Sequence, residues 1–69
     1  MTDHIYKQIE LTGTSQTSIE DAVQRAIEKA AETIHNIHWF QILETRGAVQ
    51  DDKKIQWQVI VKIAFSLDD

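Results

Sequence analysis

Residues 55–67 read Ile-Gln-Trp-Gln-Val-Ile-Val-Lys-Ile-Ala-Phe-Ser-Leu. Ile55, Trp57, Val59, Val61, Ile63, Phe65 and Leu67 fall on odd positions, while Gln56, Gln58, Lys62, Ser66 and Asp68 fall on even ones. Successive side chains of a strand point to opposite faces, so this run is a strand with one apolar face. No other segment offers so apolar a strand face, and this strand therefore belongs in the middle of a sheet.

Working back from it, Gln50, Asp51, Asp52 and Lys53 form the turn of a hairpin. Before the turn lies a β-rich run, Ile37 to Thr45, followed by Arg46, Gly47, Ala48 and Val49. Simple alternation points Ile37, Trp39 and Leu43 one way and Phe40 and Ile42 the other, so the strand has apolar side chains on both faces. Gly47 is the expected site of a bulge. Between His35–Asn36 and the chain start, Ile19, Ala22, Val23, Ala26, Ile27, Ala30, Ala31 and Ile34 recur at the spacing that only a helix gathers onto one stripe. Glu20 and Asp21 suit its positive end. Half the stripe is alanine, which permits close approach to a sheet. Thr17 with Glu20 fits a capping box, and Ser18 is an equal candidate for the cap.

The first segment, His4 to Thr12, alternates again: Ile5, Ile9 and Leu11 are odd, with Lys7 interrupting, and His4, Gln8, Glu10 and Thr12 are even. Gly13 is expected to end it, and Thr14 to Ser18 to form a polar connector. The whole reads as one α+β domain over residues 1–69, β-α-β-β, a three-stranded antiparallel sheet in the order 1-3-2 with the helix across it. One helix covers one face only. Phe40, Ile42 and Ile60, assigned to the face away from the odd-numbered core, then need another subunit to cover them.

Composition agrees with an associating chain. It has 69 residues, 42% of them hydrophobic, and no cysteine. A core this small scarcely offsets the entropy of ordering the chain, and without a disulfide the usual remedy is oligomerisation. The net charge of −4, from 7 basic and 11 acidic residues, argues against nucleic acid or an anionic membrane as the main partner. Neither a signal peptide nor a membrane span is expected, and the expected location is cytoplasmic.

Familiar catalytic signatures are missing. Two glycines make no dinucleotide or phosphate loop, and Ser15, Ser18 and Ser66 have no nucleophile-elbow context. His35 and His38 form an H-x-x-H pair across a helix-to-strand junction, where the spacing fixes no common direction for a metal. Asp51 and Asp52 read as turn residues. Trp57 continues the odd core face, so packing is its expected role. Trp39 is either interface filler or a face on which a flat ring can stack. Gln58 carries an amide donor and acceptor able to read an edge where N–H and C=O are adjacent. Arg46 has a planar fork suited to phosphate or stacking; the alternatives are a solvated strand charge and a salt bridge between subunits.

Taken together, these residues resemble the dodecin family. The resemblance runs through Leu11-Thr12-Gly13-Thr14-Ser15, the alanine-rich helix, His38-Trp39-Phe40, Arg46-Gly47, Trp57-Gln58-Val59, Ala64-Phe65 and Leu67-Asp68, each weak alone but fairly specific in this order. It implies a small flavin-binding protein assembled as a hollow homo-dodecamer, with Trp39 the stacking residue and Gln58 the amide that pairs with the polar edge of the flavin ring. Arg46 matches the arginine of bacterial-type members, which favours FMN over riboflavin or lumichrome. Pairs of flavins would lie between tryptophans of symmetry-related subunits, for storage or sequestration and protection from light. Some bacterial relatives also hold coenzyme A in the assembly, although no motif here establishes it. The resemblance implies a binding protein and no enzyme. Two other classes compete with it: a structural oligomerisation module without a ligand, and a small flavin-dependent enzyme.

Overall fold

The computed structural model describes residues 3–67. Four elements follow in order: β1 (Tyr6–Ser15), α1 (Ile19–Ala31), β2 (Ile37–Val49) and β3 (Ile55–Ser66). The sheet is antiparallel with β3 between β1 and β2, so the most apolar strand is central, as its alternation requires. Asp68 lies outside the described residues.

The helix starts at Ser18, whose extended backbone and side-chain oxygen, accepting from the Asp21 amide at 3.0 Å, make it the N-cap. Ser18 is thus the cap and Thr17 is not. Glu20 and Asp21 occupy the first turn and Lys29 the last, both matching the macrodipole. The regular helix closes at Ala31, earlier than the apolar spacing suggests, yet Ile34 still packs on the core after a turn in which the Thr33 and Ile34 amides donate to the Ala30 carbonyl. Asn36 then takes φ 66° and hands the chain to β2.

The core lies where α1 meets β1 and β3. Ala22, Val23 and Ala30 of the helix pack on Val59, Val61 and Ile63, with Ile9, Leu11 and Ile37 at the margins. Gly13 explains how the two layers come so close. It does not end β1; it is paired with Val59 inside the strand, and β1 continues to Ser15. A Cβ at this position would overlap the Ala22 carbonyl oxygen and press on the Ala26 methyl. The glycine serves helix-to-sheet approach, a use of the residue that mimics a strand terminator in sequence. Two residues on, buried Ser15 locks the same corner: its hydroxyl donates to the Asp21 carboxylate at 2.5 Å and accepts from the Thr17 amide at 2.9 Å.

β2 departs most from the alternation read in its sequence. Its register with β3 shifts between Ile37 and Trp39 and again between Ile42 and Glu44. Each bulge adds one residue and inverts the parity that follows. Ile37, opposite Phe65, therefore faces the helix side, whereas Trp39, opposite Ala64, faces the uncovered side. Phe40 and Ile42, opposite Ile63 and Val61, return to the helix side, which corrects their assignment to the other face. Ile60 does lie on the uncovered side, opposite Thr12 and Glu44. Gly47 is regularly paired with Trp57 and makes no bulge; the indole of Trp57 lies 3.8 Å from where its Cβ would be.

The hairpin between β2 and β3 closes as expected, with Lys53 at φ 67° and the Asp52 carboxylate accepting from the Lys54 amide at 3.0 Å. Asp52 is a turn residue.

Candidate functional site

Residues paired directly across antiparallel strands share a face. With Val59, Val61 and Ile63 turned to the helix, the even positions of β3 and their partners form the uncovered face: Tyr6, Gln8, Glu10, Thr12 and Thr14 of β1, and Trp39, Gln41, Glu44, Arg46 and Ala48 of β2. Trp39, Arg46 and Gln58 all belong to it. The bulge between Ile42 and Glu44 carries odd-numbered Trp39 and even-numbered Arg46 to the same side, a relation that spacing alone does not reveal.

Arg46 and Gln58 are opposite one another, and the Arg46 Nε–H donates to Gln58 Oε1 at 2.7 Å. The guanidinium has no acceptor, so the Gln58 atom that meets it must be the oxygen, and this fixes which way the amide is turned. Gln58 Nε2 then donates to Gln56 Oε1 at 3.1 Å. After these two bonds the amide retains one N–H and one oxygen lone pair. Arg46 Nη1 also lies 3.6 Å from Glu44 Oε2, but both side chains are more than half exposed and this pair adds little.

Trp39 stands apart from that pair. It is opposite Ala64 while Arg46 is opposite Gln58, a separation of six residues along β3, or about 20 Å at a strand's rise. One tricyclic ring cannot touch both within one chain. The structure thus joins Arg46 to Gln58 and leaves Trp39 at the far end of the same face, 45% exposed.

Tyr6 joins Trp39 on this face, although no motif in the sequence singles it out. Its ring centroid lies 4.8 Å from that of Trp39 at 60°, and 5.3 Å from His38 at 81°. Its even position in β1 was the available signal, since it puts an aromatic on the face opposite the core. His38 Nε2 lies 3.2 Å from the buried Ser66 hydroxyl, whereas His35 belongs to the exposed connector, so the pair points to no common centre. Among the described residues no three His, Asp or Glu side chains are grouped to hold a metal ion.

Hollows also lie beside the helix. An apolar groove of about 360 Å³ separates α1 from β2, lined by Ile19, Val23, Ile27, Phe40 and Ile42. A polar one of about 410 Å³ sits by the start of α1, among Ser15, Thr17, Asp21, Arg25 and Gln56.

A three-stranded sheet, helix-covered on one side and bearing aromatic, amide and guanidinium groups on the other, defines a small β-α-β-β protein with an open face. Residues 5–68 match the family model described as Dodecin. The dodecin of Thermus thermophilus is 34% identical over 65 residues, 94% of each chain. The structure of dodecin from Streptomyces davaonensis superposes with a TM-score of 0.91 at 35% identity, covering 99% of this chain and 100% of that one. A Mycobacterium tuberculosis protein named calcium dodecin is 30% identical over 63 residues, 91% of this chain and 89% of its own. The chain belongs to the dodecin family. Oligomeric assembly is consistent with that membership and with the apolar side chains left exposed on the isolated subunit. Among the described residues no helix is long and apolar enough to cross a membrane.

Proposed function

We propose that this protein binds and sequesters FMN between neighbouring subunits of a hollow homo-dodecamer, and that stacking on Trp39 quenches the bound flavin's excited state. The observation that carries this reading is the 45% exposed indole of Trp39 on the same uncovered face as the Arg46–Gln58 pair. The distance between the two, about 20 Å in one chain, means that a ring touching both takes Trp39 from one copy and Gln58 from another.

The residues suit the ligand. The indole offers a broad flat surface, and aromatic contact of this kind adds about 0.5–1.5 kcal/mol beyond area burial. Gln58 keeps one donor and one acceptor, the pair needed by the adjacent N–H and C=O of the flavin's polar edge. Arg46 acts through Gln58 by holding the amide in that sense, and its terminal nitrogens add positive charge at the pocket rim. When bound, flavin supplies a photoexcitable ring able to accept an electron from a stacked indole. Trp39 meets that ring as an electron-rich face in van der Waals contact, and clamping between two aromatic surfaces leaves a substrate no room. Binding without turnover in the cytoplasm is the function we infer.

Titration of FMN fluorescence tests it. The parent should quench FMN on binding; Trp39→Ala should lose most of both affinity and quenching, and Trp57→Phe little of either. A colourless protein that leaves FMN fluorescence untouched would favour a ligand-free oligomerisation module, and steady turnover with a nicotinamide donor would favour an enzyme.

A further inference from the structure

The uncovered face contains an aromatic bridge that runs from one outer strand to the other. Tyr6 opens β1 opposite Ser66, and Trp39 lies on β2 opposite Ala64. Neighbouring strands are about 4.8 Å apart, which sets β1 and β2 about 10 Å from each other. Their two side chains still meet, with ring centroids 4.8 Å apart at 60°, because β3 puts small residues beneath them. Ala64 is 0% exposed and Ser66 4%, so the bridge rests on a low floor. Tyr6 is itself steadied by the His38 ring at 5.3 Å and 81°, and His38 by the Ser66 hydroxyl at 3.2 Å.

We propose that Tyr6 is a positioning residue for the stacking site: its ring, reaching across β3 above Ala64, fixes the tilt at which the Trp39 indole is offered to a flat ligand. The proposal rests on the flavin reading of Trp39. A half-exposed indole on an outer strand has rotamers to lose when a ring settles on it, and an edge contact that holds it beforehand removes part of that loss. Tilted contact with Tyr6 occupies a flank of the indole and leaves much of its surface open. Tyr6 touches no ligand in this arrangement; it acts through Trp39.

The test uses the full chain in a Trp57→Phe background, so that Trp39 is the one remaining indole of the two in the sequence. Without ligand, Tyr6→Phe should keep the near-ultraviolet circular dichroism and slow fluorescence depolarisation of the indole, and Tyr6→Leu should lose both while light scattering reports an unchanged mass. FMN should bind to Tyr6→Leu about threefold to tenfold more weakly, with brighter residual emission at saturation, and to Tyr6→Phe as to the parent. Tyr6→Met carries the same expectations should Tyr6→Leu fail to fold. Parent-like indole signals and affinity in Tyr6→Leu overturn the proposal. So does an equal loss in Tyr6→Phe, which would assign the effect to the hydroxyl. Trp39→Ala reports separately on the flavin reading: parent-like FMN affinity there removes the site and with it the role of Tyr6.

Discussion

Arg46 illustrates how one hydrogen bond changes the reading of a residue. As a lone arginine beside a glycine it suited phosphate, stacking or a salt bridge; in the structure its Nε–H is committed to Gln58 at 2.7 Å. Arg46→Ala should therefore weaken riboflavin and FMN alike, by about tenfold if the released amide loses one charge-assisted hydrogen bond's worth of order. Parallel titrations measure this, and a loss confined to FMN would show that the guanidinium serves the phosphate instead. Trp39, Arg46 and Gln58 stand out in the sequence as candidates because their side-chain types are informative wherever they sit. Their grouping was not, since it depends on strand pairing and on bulges that insert without a sequence signature. Tyr6 went unseen for the same reason: it acts across two strand spacings, and nothing in a linear reading joins residues 6 and 39.

Among the elements, the two with uninterrupted periodicity show their buried faces in the sequence, although α1 closes at Ala31, before the end of its apolar stripe. The stripe of α1 and the alternation of β3 each reflect a single burial surface, and the core of Ala22, Val23, Val59, Val61 and Ile63 follows from them. β1 and β2 were read less well, each for a definite physical reason. In β1, Gly13 marks contact with the helix backbone and not a chain reversal. Gly13→Ala should cost about 1–3 kcal/mol in denaturant unfolding, because its Cβ meets a backbone carbonyl that cannot step aside; an unchanged midpoint would mean the layers sit further apart. In β2, the bulge before Trp39 inverts parity, so Phe40 and Ile42 join the helix side and Trp39 the open side, and the bulge before Glu44 brings Arg46 to the open side as well. The cap offers a second check on the helix boundary. Ser18→Ala should lower stability by about 1 kcal/mol, and Thr17→Ala by clearly less, since the bond to the Asp21 amide belongs to Ser18.

The molecule as a whole is elongated, with a radius of gyration of 14.3 Å against about 11 Å for a compact domain of this length. Nearly all of β2 is exposed in the single chain, including Trp39, Phe40, Ile42, Leu43 and Val49. A strand with such side chains on both faces is stable only when other copies cover it. Light scattering should accordingly report about 96 kDa for twelve chains of 8.0 kDa. Phe40→Asp, which puts a charge beside the groove between α1 and β2, should shift the mass toward small species; a full-sized assembly from that variant would mean the groove is not an intersubunit contact. The same geometry makes ligand binding a property of the assembly.

Whether one site takes its indole and its amide from different copies is open to direct measurement. Trp39→Ala and Gln58→Ala chains, each a poor FMN binder alone, should regain about one quarter of the parent's sites when unfolded together and co-assembled in equal amounts, because half of each donor position is then intact and the two positions are filled independently. FMN quenching in the mixture that merely equals the average of the two separate variants would show that both groups come from one chain, and would contradict the account.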